Sequence, residues 1–233
     1  MLALTSVFRD YPVGEQVVHA LRNITLEVEA GEYLSIMGPS GSGKSTLLNI
    51  VGLLDSPDSG SYRLLGEDTA KMSDDKLART RREVIGFVFQ FFHLVPRLTA
   101  FENVELPLTL AGWRRRKRRE KVRRALERVE LADRMEHRPN QLSGGQLQRA
   151  AIARSIVMSP KLLLADEPTG NLDSRSSMEI IRLLESLNED GLTLVVVTHD
   201  PDLGCRARRR LTMLDGRIGG DERHQESGKE PGG

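Results

Sequence analysis

Gly38-Pro39-Ser40-Gly41-Ser42-Gly43-Lys44-Ser45-Thr46 has the residue types and spacing to cradle a polyphosphate. The run fits G-x-x-x-x-G-K-[ST]. Its glycines let the backbone curl so that successive N–H groups, from Ser40 to Gly43, turn inward toward phosphate oxygens. Lys44 brings a mobile positive charge to the β- and γ-phosphates, and the Ser45 hydroxyl is placed to ligate Mg²⁺. Thr46 opens a helical stretch whose N-terminal dipole favours an anion. Binding of a nucleoside triphosphate is the expectation.

Acids and amides follow at positions suited to acting on that phosphate. Leu162-Leu163-Leu164-Ala165-Asp166-Glu167 is an apolar run closed by two carboxylates. A buried strand would deliver both to the carboxyl edge of a sheet, where ligands bind in open α/β folds. Asp166 is the expected Mg²⁺-side acid, and Glu167 is placed to polarise a water for attack on the γ-phosphate. Leu192 to Val197 is a second such run, ending in Thr198-His199-Asp200 at the same edge. His199 there could hold the γ-phosphate or be simply structural. Gln90 closes the strand-like Gly86-Phe87-Val88-Phe89, and spacing alone leaves it a Mg²⁺ or water ligand or a strand cap.

Leu142-Ser143-Gly144-Gly145-Gln146 leads into a helical run of alanines and isoleucines. Ser143 and Gln146 form a capping box, so one reading is a well-started helix. Two glycines at a helix start also make a second anion cradle of the same physical type as the first. One triphosphate does not need two cradles in one chain, which points to two chains sharing the nucleotide. Tyr11 could stack on a nucleobase or pack beside a strand end.

These groups need a parallel sheet to hold them. Tyr33 to Met37 reads as the strand entering the phosphate loop, and Thr46 to Val51 as the helix leaving it. Leu2 to Phe8, Leu26 to Val28 and Ser61 to Leu65 read as further short strands, an antiparallel layer beside the nucleotide core. Tyr11-Pro12-Val13-Gly14 breaks the first of them. From Phe91 to Arg138 the texture is helical, with Val122, Leu126 and Val129 on one face. Trp113 precedes the basic run from Arg114 to Arg119. That run is a patch for nucleic acid or anionic lipid, or a solvated face interspersed with Glu120, Glu127 and Glu130. Leu211 to Ile218 reads as a hairpin through Asp215-Gly216, and residues 219–233 as a disordered tail.

Composition narrows the class. Of 233 residues 39% are hydrophobic, ordinary for a globular protein, and no apolar run approaches the ~20 residues of a membrane span. A net charge of +1 argues against a general affinity for nucleic acid. The single cysteine, Cys205, excludes an internal disulfide and suits a reducing compartment. No secretory signal is expected after Met1.

Taken together and in this order, the phosphate loop, Gln90, Leu142-Ser143-Gly144-Gly145-Gln146, Asp166-Glu167, Asn171-Leu172-Asp173 and His199 resemble the ATP-binding cassette (ABC) ATPases over residues 1–218. The resemblance implies a P-loop α/β core with an antiparallel β subdomain and an inserted α-helical subdomain near residues 91–160. It implies ATP and Mg²⁺ as cofactors and a second copy of the chain across the nucleotide. It makes Tyr11 the adenine-stacking aromatic and Gln90 the switch between Mg²⁺ and a membrane partner. It makes Asp173 the acid that crosses the dimer and His199 the γ-phosphate sensor. Leu53-Leu54-Asp55-Ser56-Pro57, residues 87–96 and residues 98–108 look like the bacterial lipoprotein-release and macrolide-export branch. Its ATPases drive a separate integral permease from the inner, cytoplasmic face of the membrane. The rival, a soluble ABC ATPase acting on DNA or ribosomes, would need a long coiled coil or a second cassette. A GTPase would need an Asn-Lys-x-Asp motif. Two departures from the family pattern are Leu147 after the signature and Arg208-Arg209-Arg210 after Ala207, the latter expected to alter only a surface contact.

Overall fold

A computed structural model describes residues 1–223. Two sheets organise the chain. The first has the order β2-β1-β4-β5 and is antiparallel, built from β1 (Leu2–Val13), β2 (Gln16–Val28), β4 (Ser59–Leu64) and β5 (Glu67–Asp68). The second has six strands in the order β10-β9-β3-β8-β7-β6. Its parallel members are β3 (Tyr33–Met37), β6 (Ile85–Phe89), β7 (Leu162–Asp166), β8 (Thr193–Val197) and β9 (Arg209–Leu214). The last strand, β10 (Arg217–Arg223), runs antiparallel to β9.

Alternation on the parallel strands splits the interior into two cores. Leu162 and Leu164 of β7 and Val195 and Val197 of β8 face the antiparallel sheet. Helix α1 (Lys44–Val51) buries Leu47, Leu48, Ile50 and Val51 in that same layer. Leu163, Ala165, Leu194 and Val196 face the other way, onto α3 (Ala100–Leu110), α4 (Arg115–Arg128), α5 (Gly144–Ile156) and α6 (Ser174–Glu189). Strands buried on both faces read as continuous apolar runs, which is why β7 and β8 were legible in the sequence. Two further helices are α2 (Asp74–Val84), which buries no residue, and α7 (Pro201–Gly204).

Several expectations are corrected. Pro12 does not break β1, which continues to Val13 and pairs Pro12 with Val17. Beyond Phe8 only β2 flanks β1, and a strand with one open side tolerates a residue lacking N–H. Helix α1 starts at Lys44 rather than Thr46, because Gly43, at φ 97°, already serves as its left-handed N-cap. Residues 91–99 are loop, and helix begins at Ala100, where Thr99 and Glu102 form a capping box. Residues 219–223, expected in a disordered tail, are paired in β10; residues 224–233 lie outside the described residues.

Arg209, which the sequence suggested was a surface difference, ties β10 to β9 through its side chain as well as the backbone ladder. Its side chain is 7% exposed. It binds Asp221 bidentately at 2.7 Å through both Nε and Nη2, Glu32 at 3.0 Å and the Glu27 carbonyl at 2.7 Å. Hydrogen bonding from Arg209 holds the Asp221 carboxyl below its ordinary value, against the opposing effect of burial. This pair therefore stabilises the fold above the ordinary carboxylate range and is lost as pH falls through the lowered value. Arg209→Ala leaves Glu32 without its cation and should cost about 3 kcal/mol, roughly 6–12 °C in Tm. Circular dichroism melts would measure it. An unchanged melt would show that this network contributes nothing to holding β10.

Candidate functional site

The loop between β3 and α1 is fixed by contacts that admit no side chain at two glycines. Gly38 sits at φ 150°, where a Cβ would meet the Met213 carbonyl at 2.2 Å. Gly43 sits at φ 97°, where one would meet the Ala20 carbonyl at 2.4 Å. The loop is thus clamped between β9 and β2. Lys44 Nζ donates to the carbonyls of Gly38 and Pro39, both at 2.8 Å, so its charge lies over the loop itself. Ser42 is buried, and its hydroxyl has no protein partner. A buried orphan hydroxyl, a lysine folded over a positive-φ loop and a helix N-terminus suit the phosphates of a nucleotide. Ser40, Gly41 and Thr46 belong to the same segment.

The carboxyl edge of the sheet brings the expected acids to this loop. The Ser45 hydroxyl lies near enough to the Asp166 carboxylate, at the end of β7, to favour its ionised form. Burial raises the Asp166 pKa, the neighbouring Glu167 charge raises it further, and Ser45 and Lys44 oppose both. A hydroxyl and a carboxylate held together beside a lysine form a donor set that suits a hard cation such as Mg²⁺. Glu167 follows in a left-handed conformation, φ 48°, its N–H donating to the Val197 carbonyl at 2.9 Å. Such a backbone in a non-glycine residue stores strain of about 1–3 kcal/mol. One carboxylate oxygen of Glu167 lies 2.9 Å from His199 Nδ1, and the other accepts from the His199 N–H and the Thr198 hydroxyl at 3.4 Å. His199 is mostly exposed and Glu167 mostly covered.

Gln90 stands past the end of β6 and is tied to Asn171. Its Nε2 donates to Asn171 Oδ1 at 3.2 Å, while Asn171 Nδ2 donates back to the Gln90 carbonyl at 3.1 Å. A Cβ on Gly170 would lie 2.8 Å from that same Nε2. The segment after Glu167 and the Gln90 strand end are therefore one unit. Sequence reasoning missed a third member, Gln148, which is fully buried and donates to the Phe89 and Pro168 carbonyls. The available signal was its place one turn before Ile152, on the apolar stripe of α5.

The capping box expected at the start of α5 is formed. Ser143 Oγ accepts from the Gln146 N–H at 3.3 Å, and Gln146 Oε1 accepts from the Ser143 N–H at 2.9 Å. Gly144 abuts Leu172 and Gly145 abuts Ser176, so this cradle borders the start of α6 rather than Ser45 and Asp166. Asp173 caps α6. Its carboxylate accepts from the backbone and hydroxyl of Ser176 and the N–H of Arg175, which hold its pKa down. Tyr11 donates its hydroxyl to Asp55 at 2.6 Å, and the Arg9 guanidinium lies 4.8 Å from its ring centroid. Burial works against the Asp55 charge, but Tyr11, the Ser56 N–H and Arg9 hold it below the ordinary value. The ring is thus fixed in place by both packing and polar contacts.

Because its folded pKa is raised, Asp166 weakens the nucleotide-free chain as pH rises from the ordinary carboxylate value to the raised one. Asp166→Asn should therefore raise the nucleotide-free Tm at neutral pH by roughly 1–4 °C. Differential scanning calorimetry would measure this, and an equal or lower Tm would show that the partners of the carboxylate outweigh its burial.

Comparison with known proteins matches residues 21–170 to a family model described as ABC transporter. The chain is 52% identical over 218 residues to an uncharacterized ABC transporter ATP-binding protein, YknY, of Bacillus subtilis, covering 94% of this chain and 95% of that one. It is 51% identical to the macrolide export ATP-binding/permease protein MacB of Burkholderia pseudomallei, with 95% of this chain covered but only 34% of MacB. Among solved structures, the dimeric post-hydrolysis ATP-binding cassette MJ0796 bound to ADP and Pi superposes with a TM-score of 0.89 at 45% identity, covering 97% of this chain and 100% of that one.

Proposed function

The chain belongs to the ABC transporter family of ATPases, and from that membership we propose that it hydrolyses ATP across a dimer to drive a separate export-type permease. The observation that carries this reading is the junction of Ser45, Asp166, Glu167 and His199 at one sheet edge beside the phosphate loop. Lys44 and the N–H groups of residues 40–46 bind the β- and γ-phosphates. Ser45 and Asp166, with Gln90 at the neighbouring strand end, would hold Mg²⁺. When bound, Mg²⁺ neutralises charge on the β- and γ-oxygens. Glu167 takes the proton of the attacking water, and the strained backbone at Glu167 fixes where that carboxylate stands. His199, paired with Glu167, senses the γ-phosphate. Tyr11, held by Asp55 and Arg9, presents its ring to adenine.

Ser143, Gly144, Gly145 and Gln146 serve the γ-phosphate held by a second copy, and Asp173 reaches across that interface. The MacB relatives carry ATPase and permease in one longer protein, of which this chain spans about a third. We assign the permease contact to residues 91–97. Asn103 pins this loop through four bonds to the backbone of Val95, Leu98 and Thr99, and Arg154 holds the carbonyls of Phe92 and His93. Phe91 and Val95 are left outward, 65% and 41% exposed. Among the described residues no helix is long and apolar enough to cross a membrane. A peripheral place on the inner membrane face goes with that arrangement.

The chemistry is tested by two variants. Glu167→Gln should keep ATP affinity within about threefold and lose at least about a hundredfold in turnover. Lys44→Ala should weaken nucleotide binding itself. Equilibrium binding of a fluorescent ATP analogue and steady-state phosphate release measure the split. Near-normal turnover in Glu167→Gln would assign the base elsewhere.

A further inference from the structure

A cavity of about 890 Å³ opens at the end of the sheet remote from Asp166 and Glu167. It borders Lys161 and Thr193, where β7 and β8 begin, so the length of β7, about 15 Å, separates it from the catalytic edge. Its walls come from the antiparallel lobe through Met1 and Leu65, from α4, and from the ends of α5 and α6. The volume lies in the range that takes a small molecule.

The lining has two characters. Its apolar wall is Leu65, 42% exposed, with the partly buried Met1, Ile156 and Leu192, laid over the buried Ala125, Val157 and Leu187. The rim carries four cations, Lys121, Arg124, Arg128 and Lys161, against a single acid, Asp190. Lys121, Arg124 and Arg128 fall at i, i+3 and i+7, so they share one face of α4. Arg128 is spent on Asp190. Among the described residues Arg124 reaches only Glu120, a mutually exposed pair of the kind worth little in water. Lys121 donates to the Ser159 hydroxyl at 3.1 Å and lies 5.1 Å from the Trp113 ring centroid. The Lys161 side chain has no protein partner among the described residues, although its backbone is bonded to Val84 and Thr193.

We propose that this cavity binds a single-chain anionic amphiphile, with its head group on Lys161 and Arg124 and its alkyl body on the wall of Leu65, Ile156 and Leu192. A simple anion would leave the apolar wall at Leu65 wet, and a neutral chain would leave the cations without a counter-charge. Only a ligand carrying both a head and a chain satisfies the two surfaces together. The head chemistry, carboxylate or phosphate, is common to free fatty acids and alkyl phosphates, and the test separates them. The site lies where the antiparallel lobe, the helices and the core meet, so occupancy should stiffen all three.

Trp113 is the only tryptophan in the chain, and its contact with Lys121 makes it a reporter of the cavity. The full-length protein is titrated with laurate, decanoate, butyrate, dodecyl phosphate and dodecyl maltoside, each below its micelle concentration, by Trp emission and by calorimetry. Laurate or dodecyl phosphate should saturate and raise Tm, and the stronger of the two identifies the head group. Shortening laurate to decanoate should weaken binding roughly tenfold, and butyrate and dodecyl maltoside should not saturate. Lys161→Glu combined with Arg124→Glu, both solvent-facing, should weaken binding at least tenfold with Tm and ATP affinity unchanged. The proposal fails if neither measurement saturates, if the maltoside binds as well as laurate, if butyrate suffices, or if the double variant binds like the parent.

Discussion

Burial of β7 and β8 on both faces is the constraint on which the rest depends. A charge anywhere along Leu162–Ala165 or Leu194–Val197 would be stranded between two apolar cores. Polar chemistry is therefore confined to the points where these strands leave the sheet, and Asp166-Glu167 and Thr198-His199 fall there. The phosphate loop leaves β3 at the same edge, because β3 pairs with β8 in parallel register. A single decision about sheet direction thus brings together groups more than a hundred residues apart in sequence.

The site is tuned by opposing forces. Asp166 is partly withdrawn from water beside another carboxylate, a poor arrangement for an ionised acid until a cation joins it. Glu167 is held in a strained backbone and shared between Thr198 and His199. Gln90, Asn171 and Gln148 lock the segment behind Glu167 to the end of β6. Because the loop at 91–99 continues from β6 and is held rigid by Asn103, a shift at Gln90 has a stiff path to the outward-facing Phe91 and Val95. Coupling of hydrolysis to a membrane partner would travel along this route.

Much of this was legible in the sequence, for identifiable reasons. Parallel strands buried on both sides leave long apolar runs, and the phosphate loop and capping box are local in sequence. What was missed is either non-local or polar. Helix α2 fully buries no residue and offers the core only Leu77 and Val84. β1 continues through Pro12 only because its far side is open there. Arg209 looked like a surface substitution because its partner Asp221 lies in residues expected to be disordered. Gln148 was hidden as one amide among alanines, its role fixed by carbonyls at Phe89 and Pro168. For Gln148 the deciding partners lie 59 and 20 residues away, beyond the reach of a local pattern.

The account rests on a nucleotide site completed by a second copy. The Ser143-Gly144-Gly145 cradle borders α6, while Lys44, Ser45 and Asp166 form the other half of the chemistry. Sedimentation velocity on Glu167→Gln tests this directly. The chain should sediment as a monomer without nucleotide or with ADP, and as a dimer with ATP and Mg²⁺, through linkage of binding to association. Adding Ser143→Glu to that variant should abolish the dimer while leaving ATP bound at Lys44. A monomer under every nucleotide condition, or a dimer indifferent to Ser143→Glu, would contradict it.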